Sequence, residues 1–224
     1  MKKYSFRRAA SLLVAAALAL GLASCGKSPQ PADSSASSQA VQSTPDVQPQ
    51  AAGEYRAMWV SYLEWGSFDF SGEDAFTAQV QTLMQNCLSL GCTTVIAQVR
   101  PFADALYPSA LFPWSHVLSG AQGTDPGFDP LAVLVREAHA CGLQLEAWLN
   151  PYRVALNAAT PGSFAENSLL YTHPDWVKAN GEGYYLNPAL SQVRDYICEG
   201  VAEIVQNYDV DGIHYDDYFY PTTD

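Results

Sequence analysis

Positive charge is scarce in this sequence. The 224 residues contain 11 Lys and Arg against 23 Asp and Glu, a formal net charge of −12. Four of those cations fall within residues 1–24, which contain no acid, so the rest of the chain carries 7 cations against 23 acids, a balance of −16. A surface of that sign repels phosphate backbones and anionic lipid headgroups, so nucleic acid is not expected as a partner.

Two kinds of binding motif are also missing. No Gly-x-Gly-x-x-Gly or Gly-x-x-x-x-Gly-Lys-Ser/Thr stretch follows a predicted strand, which removes the usual mark of nucleotide binding. The five cysteines are Cys25, Cys87, Cys92, Cys141 and Cys198, and no two of them form a Cys-x-x-Cys pair. We therefore expect no metal site and no cofactor. The last four cysteines are interpreted as small buried apolar residues in preference to disulfide partners.

Residues 1–24 have the pattern of a secretory signal peptide, with four cations ahead of an apolar run. The run ends in Leu22-Ala23-Ser24-Cys25, which resembles a bacterial lipobox and predicts lipidation of Cys25. Cleavage near Ala23 as an ordinary signal is the alternative. Residues 25–53, rich in Ser, Gln, Pro and Ala, are predicted to be a disordered tether. The expected location is the outer face of a bacterial membrane, where the lipid anchors the domain at residues 54–224.

From residue 54 onward the hydrophobic pattern alternates between strand and helix. Strands are predicted at 56–61, 93–99, 143–149 and 210–216, and helices at 71–91, 128–142 and 187–208. The predicted helix starts use Ser71 with Asp74, then Asp129, then the Asn187-Pro188 pair. Such alternation favours parallel strands joined by right-handed crossovers.

Loop length is concentrated where strands lead into helices. Segments 100–128 and 150–186 are long, whereas helix-to-strand turns take only a few residues. Length at the carboxyl ends of parallel strands is typical of a (β/α)8 TIM barrel. The prediction is an α/β fold of TIM-barrel type with only about the first four βα units present. Such a half-barrel has open edges at its first and fourth strands and is expected to associate.

Polar side chains gather at the predicted strand ends. Candidate substrate-binding residues are Gln98, Arg100, Asp104 and Tyr107 after the second strand, Asn150, Tyr152 and Arg153 after the third, and His214 and Tyr218 at the fourth. Amides, carboxylates and aromatic faces on one concave rim suit a sugar. Trp59 and Trp148, inside strands, are interpreted as core residues.

Three aspartates mark the last predicted strand. Asp211 begins it and is expected to bind turn backbone. Asp216 and Asp217 end it, and adjacent strand residues face opposite sides. At least one of the two therefore points into the barrel mouth, where an unpaired carboxylate is costly unless it has a function.

Five stretches together resemble the bacterial glycosyl-hydrolase-like family 10: MWVS, QVRPFADALYPS, PWSHVLSG, AWLNPYR and NYDVDGIHYDDYFYP. The resemblance implies a TIM-barrel glycosidase of exported proteins, some members of which look like hydrolases of peptidoglycan glycan strands. DGIHYD is also similar to the fourth-strand motif of the α-amylase clan. That likeness implies that Asp216 is the nucleophile, oriented by His214, with Asp217 as a further candidate catalytic carboxylate.

Three functions remain open. The first is a lipid-anchored glycoside hydrolase, in which a second carboxyl group about 5 Å from Asp216 protonates the leaving oxygen. The second is a glycan-binding lipoprotein that does not cleave. The third is a metal-dependent hydrolase that uses His214, Asp216 and Asp217, although metal sites normally draw ligands from several elements. The acid is expected on a later strand, so this chain alone is expected not to hydrolyse glycan.

Overall fold

A computed structural model describes residues 53–157, 163–181 and 183–216 of the chain. The predictions for Cys25, Asp217 and Tyr218, and for the signal peptide and tether, lie outside the described residues. Within those three ranges, no helix combines the length and the apolar character needed to cross a membrane.

The described residues form seven strands and five α-helices. The strands are β1 (Ala57–Val60), β2 (Thr94–Arg100), β3 (Gln144–Leu149), β4 (Arg153–Ala155), β5 (Val177–Asn180), β6 (Gly183–Leu186) and β7 (Gly212–His214). The helices are α1 (Tyr62–Trp65), α2 (Glu73–Ser89), α3 (Pro130–Ala140), α4 (Leu169–Thr172) and α5 (Ser191–Asn207), with a 3-10 turn at Pro174–Trp176.

The main sheet has the order β1-β2-β3-β7, and every neighbouring pair is parallel. Helices α2, α3 and α5 form the crossovers between successive strands. This confirms the predicted α/β fold of partial-barrel type. Among the described residues, β1 and β7 are the two edges of that sheet.

The two faces of the main sheet differ in chemistry because strand residues alternate sides. The side chains that pack with the helices in one apolar core are Met58, Val60, Val95, Ala97, Val99, Leu145, Ala147, Leu149 and Ile213. The opposite side is called here the inner face, and it consists of Trp59, Ile96, Gln98, Glu146, Trp148 and His214. It is aromatic and polar, so it can serve a function that the apolar side cannot.

The segment 150–186, predicted as one long loop, contains a second sheet of order β4-β6-β5 with antiparallel pairing. Asn180 pairs with Gly183, and Gly181 between them has φ 57°. An Asn-Gly pair is a hairpin signal. Leu169, Leu186 and the Val193 side chain of α5 share a small apolar cluster that attaches this sheet to α5.

Helix starts agree only partly with the sequence predictions. Asp129 does cap α3, since its side chain accepts from the N–H of Ala132 at 3.1 Å. The predicted Ser71 cap of α2 is wrong, because Gly72 is the N-cap and makes no side-chain bond. The backbone N–H of Ser71 instead donates to Asp69 Oδ1 at 2.9 Å, so residues 69–71 form a turn ahead of the helix.

The start of α5 also differs from the prediction. The helix begins at Ser191, later than the Asn187-Pro188 pair. Asn187 Oδ1 accepts from the N–H of Ala189 at 3.1 Å, so the asparagine closes a local turn ahead of the helix. This competition between a side-chain turn and a helix cap is usual for asparagine.

The four described cysteines are free. Cys87 is buried in the core and fits the predicted apolar role, while Cys92 and Cys141 are half-buried. The prediction is wrong for Cys198, which is exposed on α5. Its position on that helix turns it away from the sheet.

Candidate functional site

Gln98 and Asn150 form a buried amide pair at the carboxyl ends of β2 and β3. Gln98 Nε2 donates to Asn150 Oδ1 at 2.6 Å, and Gln98 Oε1 accepts from the backbone N–H of Tyr62 at 2.9 Å. Both residues are almost fully buried, so these bonds form away from water and fix the orientation of both amides. The structure thus brings together two residues that the sequence placed on the same rim.

Trp59, Trp148 and His214 form an aromatic cluster on the inner face. The ring centroids lie 5.6 Å apart for the two tryptophans and 5.5 Å apart for Trp59 and His214. Trp148 is buried as predicted, but Trp59 is 57% exposed, so its predicted core position is wrong. The reason is that β1 is an edge of the described sheet. A solvent-exposed indole ring beside polar atoms can stack on a sugar ring.

Several buried nitrogen atoms of this region have no hydrogen-bond partner among the described residues: Trp148 Nε1, Asn150 Nδ2 and His214 Nε2. Leaving a buried polar group unpaired costs about 1–3 kcal/mol. The surface is therefore suited to meet polar groups from another molecule or another segment.

Glu146 is an inner-face carboxylate that the sequence analysis did not single out, although alternation along β3 would have found it. It accepts from the Tyr55 hydroxyl at 3.0 Å, and burial together with this bond raises the pKa of Tyr55. Its Oε2 lies 3.7 Å from His214 Nδ1. Glu146 therefore anchors the histidine from the amino-terminal side of the sheet.

Asp216 lies just beyond the end of β7 and is half-buried. It follows His214 by two residues, so alternation places it on the inner-face side of the sheet. Glu146 pairs with Gly212, four residues before Asp216. That spacing corresponds to roughly 13 Å of extended chain. The backbones of Glu146 and Asp216 are thus farther apart than the roughly 5 Å that separates the two carboxyl groups of a retaining pair.

Arg153 lies on the predicted rim and braces the loop that follows β2. Its Nε donates to the carbonyl of Pro101 at 3.0 Å. Its guanidinium lies 4.8 Å from the ring centroid of Phe102 and 5.4 Å from that of Tyr62. These cation–π contacts hold the cation against an aromatic wall. Tyr152, its neighbour, is half-buried against the cluster that holds the second sheet.

Asp104 is fully buried in the loop after β2 and is paired with a histidine. Its Oδ2 lies 3.0 Å from Nδ1 of His116 and accepts from the backbone N–H of His116 at 3.3 Å. The amide of Gln122 also donates to Oδ2, at 3.4 Å. The His116 ring lies 4.9 Å from Phe102, which connects the pair to the aromatic wall beside Arg153.

Arg100 and Tyr107 are corrections to the predicted rim. The register of β2 with β3 shifts between Gln98 and Arg100, so Arg100 lies opposite Leu149 on the helix side of the sheet. Its guanidinium sits 4.4 Å from the Phe112 ring, in the layer beneath α5. Tyr107 is buried in the same layer, where burial raises its pKa to about 12. The structure thus places both side chains on the helix side of the sheet and not on the inner face, where the sequence analysis expected them.

Sequence reasoning also missed Tyr62 and His116. His116 stands in the PWSHVLSG stretch, well after the end of β2. A histidine in a long strand-to-helix loop is a recognisable signal, but the path by which that loop returns to the rim is a tertiary feature. Among the described residues, no group of three His, Cys, Asp or Glu side chains is placed to hold a metal.

Comparisons with known proteins give glycosyl hydrolases among the relatives. A family model described as "Glycosyl hydrolase-like 10" matches residues 54–224. Glycosyl hydrolase YngK of Bacillus subtilis (strain 168) is 40% identical over 175 residues, which cover 77% of this chain and 34% of that protein. Glycosyl hydrolase DigH of Escherichia coli (strain K12) is 38% identical over 238 residues, which cover 98% of this chain and 53% of that protein. The chain thus spans about half the length of DigH and about a third of YngK.

Solved structures share the general arrangement at low similarity. The GH36 alpha-galactosidase AgaB from Geobacillus stearothermophilus has a TM-score of 0.47 at 16% identity, covering 72% of this chain and 21% of that one. The noncanonic maltogenic alpha-amylase AmyB from Thermotoga neapolitana has a TM-score of 0.45 at 14% identity, covering 71% and 38%. Likeness at this level carries no inference about substrate.

Proposed function

This chain belongs to the glycosyl hydrolase-like 10 family, and from that premise we propose that it supplies the nucleophile of a glycoside hydrolase in the bacterial cell envelope. The nucleophile is Asp216. The proposed substrate is a glycan, with peptidoglycan glycan strands as the first candidate and other bacterial or environmental glycans as alternatives.

The observation that carries the proposal is the convergence of sugar-binding groups at one end of the main sheet. The Gln98–Asn150 amide pair, the indoles of Trp59 and Trp148, and His214 lie on one side of the sheet. Amides suit sugar hydroxyls and indoles suit the apolar face of a sugar ring. The carboxyl ends of the strands are also where TIM-barrel enzymes place their active sites.

In the proposed mechanism, the Asp216 carboxylate attacks the anomeric carbon and the bond to the leaving oxygen breaks. A second carboxyl group donates its proton to that oxygen, and water later releases the sugar from Asp216. Asp217, the other catalytic carboxylate that the sequence suggests, lies outside the described residues. We therefore place the acid on a segment other than those described.

A second candidate function is glycan binding without cleavage. It is favoured by the positions and contacts of Glu146 and Asp104, two described carboxylates near the site. Glu146 lies far down the inner face, and Asp104 is engaged with His116. This candidate applies to the chain by itself, whereas the hydrolase proposal applies to a protein of the relatives' length that contains it.

Lipid anchoring is a separate part of the proposal and rests on the Leu22-Ala23-Ser24-Cys25 stretch. Two signals would then fix the location: export through residues 1–24 and a diacyl group on Cys25. In cells, Cys25→Ala should move the protein from the membrane fraction to the soluble fraction. Unchanged membrane association would remove this part of the proposal alone.

The hydrolase proposal is tested by assaying a protein of the relatives' length that contains this chain on denuded peptidoglycan strands and a panel of polysaccharides. Asp216→Asn keeps the shape of the side chain and removes its charge, so turnover should fall by at least about a thousandfold while the melting temperature stays near that of the wild type. Asp209→Asn is the matched control, because the Asp209 side chain is 96% exposed. Turnover retained in Asp216→Asn would remove the assignment.

A further inference from the structure

The hydrogen bond between Asp104 and His116 determines which nitrogen of the histidine ring carries the proton. An ionised carboxylate only accepts hydrogen bonds, so the Nδ1 atom that lies 3.0 Å from Asp104 Oδ2 carries a proton. The backbone N–H of His116 and the amide of Gln122 hold the same oxygen from other directions. The imidazole therefore presents Nε2 at its free end.

The free end of the ring remains open to a ligand. The His116 side chain is 12% exposed, and its Nε2 makes no hydrogen bond within the described part of the chain. When the ring is neutral, Nε2 is an acceptor for a hydroxyl group. A buried carboxylate on one nitrogen and an open second nitrogen together make a directed hydrogen-bonding group.

The ring is connected to the proposed glycan site through two aromatic side chains. His116 contacts Phe102 at 4.9 Å, and Phe102 contacts Tyr62 at 5.3 Å. The backbone N–H of Tyr62 binds the Gln98 amide, which holds Asn150 in turn. One continuous set of contacts thus runs from the inner face to His116.

A purely structural role for Asp104 accounts less well for its second oxygen. Oδ1 is buried and has no hydrogen-bond partner among the described residues. A carboxylate that serves only to tie a loop normally has both oxygens satisfied. The free-energy cost of leaving Oδ1 unpaired is explained if Asp104 serves to orient the imidazole of His116.

The described part of the chain contains a second Asp–His pair. It has the same chemistry as the Asp104–His116 pair, but its role is structural. His139 Nε2 lies 2.9 Å from Asp211 Oδ2, which also accepts the backbone N–H of Leu145 at 2.8 Å. Asp211 begins the segment that leads into β7, so this pair lies at the opposite end of the sheet from the proposed site. It therefore offers a matched control.

We propose that His116 binds a glycan hydroxyl through Nε2 and that Asp104 is a positioning residue that holds the ring for this contact. The proposal rests on the proposed function and extends it by one substrate-binding residue. It also reassigns Asp104, which the sequence analysis expected to touch the sugar. The ligand class is a neutral oligosaccharide.

The test measures binding of chitotetraose, cellotetraose and maltotetraose to the purified full chain by calorimetry. His116→Gln should raise the Kd of the bound oligosaccharide at least about tenfold, whereas His139→Gln should leave it within about twofold. Binding that His116→Gln leaves unchanged would overturn this proposal and leave the proposed function standing. Failure of the wild type to bind any of the three would overturn this proposal for a neutral oligosaccharide, whereas turnover of peptidoglycan strands and polysaccharides decides the proposed function.

A spectroscopic measurement tests the positioning role independently of affinity. In ¹⁵N spectra of histidine-labelled chain, the signal missing from His116→Gln identifies the ring, and it should show the tautomer protonated at Nδ1. Asp104→Asn should mix the two tautomers, and saturating oligosaccharide should shift the wild-type Nε2 resonance. A wild-type ring protonated at Nε2, or an Nε2 resonance that ignores bound oligosaccharide, would overturn the proposal.

Discussion

Arg100 shows how a single glycine makes room for a buried cation. Gly200 faces it from α5, and a β-carbon at that position would meet Arg100 Nη1 and lie 2.7 Å from Phe112 Cε2. The guanidinium is held by the Phe112 ring at 4.4 Å. The close approach of α5 to the sheet therefore depends on the absence of a side chain at residue 200.

Gly200→Ala should lower the free energy of unfolding by about 1–3 kcal/mol, because overpacking a close contact outweighs the better helix propensity of alanine. Urea unfolding followed by circular dichroism measures the change. Gly53→Ala is the control, since a methyl group at residue 53 would have no heavy atom within 4 Å. A Gly200→Ala variant as stable as the wild type would show that the layer beneath α5 is loosely packed.

Strand β7 is a short strand at one edge of the described main sheet. β7 has three residues and pairs only with β3 within the described part of the chain. Asp211 secures it, because its side chain joins the N–H of Leu145 to His139 of α3. Its backbone N–H also donates to the Leu145 carbonyl at 2.8 Å. Asp211 thus binds backbone, but that of Leu145 in strand β3 and not the turn backbone that the sequence analysis expected, and His139 is an additional partner.

Asp211→Ala should destabilise the fold by about 1–3 kcal/mol, since it leaves a partly buried backbone donor and the His139 ring without their acceptor. Thermal unfolding of the variant beside Asp209→Ala measures the effect, because Asp209 is exposed and lies 4.0 Å from the same histidine. Equal melting temperatures for the two variants would contradict the anchoring role of Asp211.

The sequence predicted the long elements and missed the short ones. Helices α2, α3 and α5 show periodicity over enough residues to be recognised, and the four parallel strands follow from their alternation with those helices. The second sheet is built from strands of three or four residues, which are too short to show an alternating pattern. The side taken by Arg100 was missed for another reason: a register shift between two strands is invisible in the sequence of either one.

At the scale of the whole molecule, the main sheet is open at both sides. Within the described ranges, β1 and β7 each have one unpaired edge, and Trp59 on β1 is 57% exposed. Open edges and exposed indoles are templates for association. The inner face is the surface that any such association would cover.

Residues 54–224 on their own should therefore self-associate as protein concentration rises. Sedimentation velocity measures this, and Trp59→Gln should weaken the association because it removes an exposed apolar ring from the edge strand. Leu90→Gln is the control, since Leu90 is 67% exposed but follows α2, away from the inner face. A monomer at all concentrations would mean that the edges are protected.

The central claim is that Asp216 forms a covalent bond to the sugar, and labelling tests it most directly. A protein of the relatives' length that contains this chain is incubated with a 2-deoxy-2-fluoro glycoside of the glycan it cleaves, then digested with trypsin. The last Lys or Arg of the chain is Arg194, so Asp216 falls in a peptide that starts at Asp195, and fragmentation by mass spectrometry locates the label. The account predicts label on Asp216 and none in Asp216→Asn. Label on another carboxylate, or cleavage that persists in Asp216→Asn, would contradict it.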